Sequence, residues 1–203
     1  MKADKKVVKS AFKATGQAVC LALAFPAAAL CGFGRSEPLF LMFAHFYAII
    51  PGLPGDYFRI AFYRLTLREC SLLSRVSFGT FFAHTDSSIA SEVYIGPYCV
   101  LGKVNIGQRT QIASGVQVLS GRHQHARTTE GQISSSRDDD FVVVTIGADC
   151  WIGAAAIVMA DVGDGSTVGA GSVVVQPIPP HSVAVGNPAR VIRSNAGLAR
   201  TES

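Results

Sequence analysis

The chain predicts a parallel β-helix, and three observations predict it. An aliphatic residue recurs about every six positions between residues 89 and 192. Small residues follow many of those aliphatics, and 20 glycines in 203 residues suit a chain that turns tightly and often. The repeat runs Ile89-Ala90, Ile95-Gly96, Leu101-Gly102, Ile106-Gly107, Ile112-Ala113 and Val118. After a gap it resumes as Ile146-Gly147, Ile152-Gly153, Val158, Val162-Gly163, Val168-Gly169 and Val174. Each hexad supplies one short strand and one corner of a three-faced prism. The aliphatic points inward, and stacked coils bury a continuous apolar column.

The breaks in the period carry information. Leu101 to Ile106 is five residues and Val158 to Val162 is four. The long break is 121–143, GRHQHARTTEGQISSSRDDDFVV, polar and without a hexad pattern. A long irregular excursion from a compact solenoid is more often functional than neutral. This one holds His123 and His125, two of the five histidines. It also holds Arg122, Arg127, Arg137 and Asp138-Asp139-Asp140, which read individually as a solvated loop.

The repeat domain is assigned to 89–193, preceded by a linker at 76–88 and a segment 1–75 of different character, and followed by a tail at 194–203. Residues 1–75 hold ten Lys/Arg and four Asp/Glu, against eight and ten in the remainder. The basic charge therefore sits outside the repeat domain. That pattern excludes the basic stripe of a nucleic-acid binder and suits an anionic membrane surface. Two apolar runs, 17–33 and 39–55, flank the polar break Arg35-Ser36-Glu37. A signal peptide, one or two membrane spans, and an interfacial helical hairpin are the competing readings. Each run is short of the ~20 residues of a full span, and Pro26 interrupts the first, so the hairpin is favoured. Residues 56–70 read as a basic, aromatic helix with Asp56 as N-cap. It would lie at a headgroup interface, cover the first open coil, or do both.

Five cysteines show no CxxC or zinc-finger spacing. Cys99 and Cys150 fall on the fifth place of hexads, where a small buried residue belongs, and read as packing thiols in a reducing compartment.

The closing run VGAGSVVVQPIPPHSVAVGNPARVI, 168–192, is the most specific stretch. With Trp151-Ile152-Gly153 and Ser120-Gly121-Arg122-His123 upstream, it resembles the hexapeptide-repeat acyltransferases. Within them it is most similar to the branch that includes maltose, galactoside and colanic-acid O-acetyltransferases. The resemblance covers about 89–193. It implies a left-handed β-helix and a homotrimer, with acetyl-CoA as co-substrate lying between neighbouring subunits and no metal. It places the catalytic histidine at His123, and Trp151 in the wall of the coenzyme groove. Ala154 and Ala170 match small residues that meet the pantetheine arm, and Arg190 and Arg193 match basic positions near the nucleotide phosphates. Gln176 departs from the lysine often found at its place. His84 precedes the first hexad, where related enzymes place a polar acceptor-site residue.

The chemistry agrees with that placement. Acyl transfer to an alcohol needs a base of near-neutral pKa at the attacking hydroxyl. His125, two residues beyond His123, is the rival base and otherwise a substrate contact. His45 reads as packing and His181 as solvent-facing. The resulting expectation is an O-acetyltransferase acting on a sugar hydroxyl of a surface polysaccharide or lipid-linked glycan precursor, held at the cytosolic membrane surface. Export would separate it from cytosolic acetyl-CoA. An N-acyltransferase on an amino-sugar nucleotide shares the fold and donor. A γ-type carbonic anhydrase does not fit, because its metal needs three suitably spaced histidines. A non-catalytic scaffold would explain the coils but not the histidine-bearing excursion beside the GNPAR run.

Overall fold

The hexad aliphatics do form strands, two to three residues long, and the computed structural model stacks them in three parallel ladders. It describes residues 2–120, 130, 132 and 141–194, with side chains from residue 14 onward. The first face, A, holds β1 (Glu69–Cys70), β4 (Ser88–Ile89), β7 (Val104–Ile106) and β10 (Val144–Ile146), and continues through bridges at Val162 and Ile178. Face B holds β2 (Arg75–Val76), β5 (Tyr94–Ile95), β8 (Gln111–Ile112), β11 (Trp151–Ile152), β13 (Thr167–Val168) and β15 (Ser182–Val185). The antiparallel β16 (Arg190–Ser194) closes it. Face C holds β3 (Phe81–Phe82), β6 (Val100–Leu101), β9 (Gln117–Val118), β12 (Ile157–Val158) and β14 (Val173–Val174). The chain visits A, B and C in turn, so three successive strands make one coil.

Alternation in the short strands places one residue inside and its neighbour outside. The inner columns run Ile89, Ile106, Ile146 on face A, Ile95, Ile112, Ile152, Val168 on face B, and Phe82, Leu101, Val118, Val158, Val174 on face C, all buried. Hydroxyls at the corners tie coil to coil. Thr80 Oγ1 donates to Gly96 O (2.6 Å) and accepts from Cys99 N (2.9 Å). Thr110 does the same between Gly147 O and Cys150 N, and Ser166 between Pro179 O and Ser182 N. A buried hydroxyl that both donates and accepts leaves no unmet polar group. Cys99 and Cys150 take the same corner positions; their thiols donate to Ala113 O and Gly163 O of the next coil. Both are free and buried, as the hexad position predicts.

The repeat begins earlier than expected. Residues 76–88, expected as a linker, complete the first coil: β2 pairs with β5 and β3 with β6. The six-residue step was present as Cys70, Val76 and Phe82, but a cysteine and a phenylalanine do not register in a search for aliphatics. The helical segment accordingly ends at Thr66 rather than residue 75.

Helices α1 (Lys2–Leu30), α2 (Glu37–Ala48) and α3 (Gly52–Thr66) precede the coils. α2 and α3 cover the open end of the first coil. Their aromatic rings form a layer with the coil, Phe40 stacking on Phe62 at 5.7 Å and Tyr63 meeting Phe82 edge-on at 5.0 Å. Arg59, fully buried, organises the junction. Its guanidinium donates to Val76 O on the exposed edge of the coil (2.8 Å), to Tyr47 O and Ile50 O at the end of α2 (3.0 and 2.8 Å), and to Asp56 Oδ1 (2.6 Å). Asp56 is not the N-cap: α3 starts four residues earlier, after Pro51, and the Asp56 carboxylate instead bridges Arg59 and Arg75. Proline at 54 suits a first helical turn, where its missing N–H has no partner to lose. α1 packs through Cys20, Ala24 and Ala27, and Cys31 in the turn after it joins the same core. No helix among the described residues is long and apolar enough to cross a membrane.

Candidate active site

Both ends of the excursion meet at the C–A corner of the third coil. Ser120 Oγ accepts from Lys103 N (2.7 Å), and Ser120 O accepts from Val142 N (3.1 Å). His123 and His125 lie outside the described residues, so their expected roles are carried by sequence. His84 is described. It occupies the C–A corner of the first coil, between β3 and β4, below the mouth of the excursion. Its Nδ1 lies 2.7 Å from Glu37 Oε1, and its ring centroid is 4.8 Å from that of Phe141, the residue at which the excursion returns. Lys103 Nζ stands 5.8 Å over the same Phe141 ring. Sequence reasoning missed Glu37, because it lies 47 residues from His84 in the first turn of a helix outside the repeat.

The coenzyme candidates fall elsewhere. Trp151 points outward from face B and is 61% exposed. It belongs to one row in register across the sheet: Tyr94, Gln111, Trp151, Thr167, Val183 and Arg193. Trp151 and Arg193 are three strand spacings apart, roughly 14 Å. Ala154 and Ala170 are exposed and stacked at the adjoining B–C corner, where Gly171 N donates to Ala154 O (2.8 Å). A Cβ on Gly153 would lie inside contact distance of the Ala170 backbone, so this edge stays low. Arg190 and Arg193, on β16, are both exposed at the end of the row. The structure thus brings Trp151, Ala154, Ala170, Arg190 and Arg193 onto one side. It does not bring them to His84. Face B is opposite the C–A corner from which the excursion leaves.

Other titratable groups are structural. Arg109 grips Asp149 with a two-point fork at 2.7 and 2.6 Å, which holds the carboxyl below its ordinary range. Burial pushes the Cys99 and Cys150 thiols up, away from reactivity at neutral pH. His181 is exposed in the turn over Gly165, and the His45 ring stands edge-on to Phe81 at 4.4 Å. Among the described residues no group of three His, Cys, Asp or Glu is placed to hold a metal ion.

Comparison with known proteins matches residues 143–176 to the family described as hexapeptide repeat of succinyl-transferase. The matched segment lies in the coils from β10 to β14. Two relatives found by sequence carry acetyltransferase names. A Staphylococcus aureus protein named as an acetyltransferase is 52% identical over 52 residues, 25% of this chain and 26% of that one. The serine acetyltransferase of Escherichia coli is 30% identical over 120 residues, 55% of this chain and 42% of that one. The chain thus spans less than half the length of these relatives. Among solved structures, a variant of the Bacillus cereus N-acyltransferase AntD, in complex with dTDP and coenzyme A, superposes with a TM-score of 0.52 at 20% identity. That match covers 60% of this chain and 70% of AntD, and it establishes the shared fold.

Proposed function

We propose that the protein is an O-acetyltransferase that moves the acetyl group of acetyl-CoA to a sugar hydroxyl, with His123 as general base and a homotrimer as the working unit. One observation carries the reading. The Trp151–Arg193 row and the low Ala154–Ala170 edge share one side of the prism, and the histidine-bearing excursion leaves from the opposite corner. A second copy that sets its excursion corner against this side completes the site. An exposed indole offers a stacking face, a low edge admits an extended acyl arm, and guanidinium groups suit phosphates. The acetyltransferase names of the relatives support the same class.

In the reaction, His123 takes the proton of the acceptor hydroxyl as its oxygen attacks the thioester carbonyl. The new C–O bond forms, the C–S bond breaks, and the coenzyme thiolate leaves and takes up a proton. Both substrates meet in one groove, so no acyl-enzyme is needed. His84 and His125 contact the acceptor. The acceptor is a glycan carried at the cytosolic membrane surface. That assignment is supported by the apolar outer surface of the helices, with Val19, Leu23 and Leu30 on α1, Leu39, Met42 and Phe46 on α2, and Ile49 just after it all exposed. No charged residue occurs from 14 to 34, and five lysines precede that stretch. This is the composition of an interfacial helix. An N-acyltransferase on an amino-sugar nucleotide is the second reading, favoured by the shared fold with AntD.

The test is coenzyme A release from acetyl-CoA by the full-length protein, over a panel of sugars, glycolipids, amino-sugar nucleotides and L-serine. Acceptor-dependent release is expected. His123→Ala should lower it roughly 10²–10⁴-fold while coenzyme binding persists. Unchanged turnover in that variant moves the base elsewhere. Release driven only by amino-sugar nucleotides selects the second reading, and release driven only by serine rejects both.

A further inference from the structure

We infer that Glu37 and His84 form an acceptor-positioning pair, in which a carboxylate supplied by the helical cap aims the histidine at the hydroxyl-bearing substrate; this rests on the acyltransferase reading. The Nδ1···Oε1 separation is 2.7 Å. An ionised carboxylate can only accept, so Nδ1 carries the proton, and in the neutral ring Nε2 keeps a lone pair. Among the described residues Nε2 has no partner. The His84 side chain is 17% exposed, so the ring is held yet reachable. Its neighbour Phe141 ends the excursion that carries His123.

A purely structural role explains the pair poorly. The corner is already fastened by Ser87, whose hydroxyl donates to Gly102 O (3.1 Å) and accepts from Val104 N (3.1 Å). Glu37 is 48% exposed, and an exposed ion pair contributes little to stability. What the contact does is fix one tautomer and one ring orientation, as a carboxylate does for a metal-binding or catalytic histidine. A fixed ring with a lone pair at a loop mouth recognises a hydroxyl donor. The helical cap is then part of the acceptor site, although the resemblance to known acyltransferases stops short of it. Glu37 is a positioning residue, and His84 touches the acceptor.

The experiment uses full-length protein, acetyl-CoA and the best acceptor of the panel. The variants are Glu37→Gln, His84→Phe, which keeps a ring against Phe141, and the double variant. The expected result is an acceptor KM raised about tenfold in each single variant, the loss of a hydrogen bond to a fixed partner. The kcat and the acetyl-CoA affinity should stay within about twofold. The double variant should match His84→Phe alone, since Glu37 acts through the ring. Nitrogen NMR of His84 should show the Nδ1–H tautomer in the native protein and a mixture in Glu37→Gln. An unchanged acceptor KM with normal turnover overturns the pair and leaves the acyltransferase reading standing. So does an Nε2–H tautomer in the native protein. Absent turnover and absent coenzyme binding in the native protein overturn both.

Discussion

In the coils the inward positions are mostly aliphatic and the outward row of face B is mixed, Tyr94, Gln111, Trp151, Thr167. In the helical cap the outward rows are themselves apolar. α2 buries Phe40, Ala44 and Tyr47, and its other side exposes Leu39, Met42 and Phe46, continued by Ile49 just past its end. A coil therefore completes its burial by stacking on the next coil, and the first coil completes it against the helices. Among the described residues the helices have no such neighbour on their far side. The chain therefore has a finished core and an unfinished apolar surface, joined by a polar clamp at Arg59. Each region can be broken without the other, and the size of the effect should follow the kind of burial.

The largest effect should come at the clamp. Arg59→Ala removes the donors to Val76 O, Tyr47 O and Ile50 O and leaves Asp56 with only the half-exposed Arg75. Burial pushes the guanidinium down from its ordinary value, and the Asp56 carboxylate opposes that shift, so the two charges are held together. Removing one partner of such a pair costs about 3–5 kcal/mol. Urea unfolding should show that loss; a midpoint unchanged from the native protein would mean that the cap does not seal the coil.

Next is the column itself. Ile152→Ala removes a fully buried side chain stacked between Ile112 and Val168. The expected loss is about 2–5 kcal/mol, toward the upper part because neighbouring coils cannot collapse into the gap. An unfolding free energy within about 1 kcal/mol of native would contradict the dense column.

The unfinished surface should respond in the opposite sense. Met42→Ser with Phe46→Ser removes exposed apolar area, so unfolding should change little. Binding to anionic phospholipid vesicles should weaken by at least about tenfold, given ~25 cal/mol per Å² of apolar area withdrawn. Co-sedimentation with vesicles measures this. Equal sedimentation of native and variant protein would show that this face meets something other than lipid.

The coils were legible because their code is local. Position in the hexad determines inside or outside, and the aliphatics, the small corner residues and the cysteines at 99 and 150 all obey it. The first coil was not legible, since Cys70 and Phe82 occupy the inward place with residue types shared by many folds. Trp151, Ala154, Ala170, Arg190 and Arg193, proposed here to hold the coenzyme, were singled out only through resemblance, and the structure adds that they share a side. Glu37 could not be found at all. Its partnership with His84 is a product of how α2 lies on the coil, and nothing within a hexad or a helical turn encodes a contact 47 residues away. Asp56 shows the same limit in reverse: an acidic residue suited to capping was drawn into a tertiary clamp.

The smallest effect separates the two regions by their thiols. All five cysteines are free and buried, Cys70, Cys99 and Cys150 in the coils and Cys20 and Cys31 in the cap. Burial pushes the Cys70 thiol up to about 12 from an ordinary value of 9.0, with Arg64 opposing and Glu69 assisting. A thiol whose pKa is higher folded than unfolded binds its proton more tightly in the folded state. Its contribution to stability is full below about pH 9 and is lost as pH rises toward 12. At about pH 8 none of the coil thiols should be a thiolate, and each should react only when its coil opens. Cys99 and Cys150 are further held by donation to the carbonyls of the next coil, so their opening breaks the ladder. Cys20 borders an apolar groove between α1 and α3, and α1 is no part of the strand ladders, so its opening should break no strand pairing. Local opening of that kind costs less than global unfolding. Labelling followed by peptide mapping should find Cys20 modified about tenfold faster than Cys99 or Cys150. Equal rates would mean that cap and coils open as one unit, and that the clamp at Arg59 binds them more tightly than their separate packing suggests.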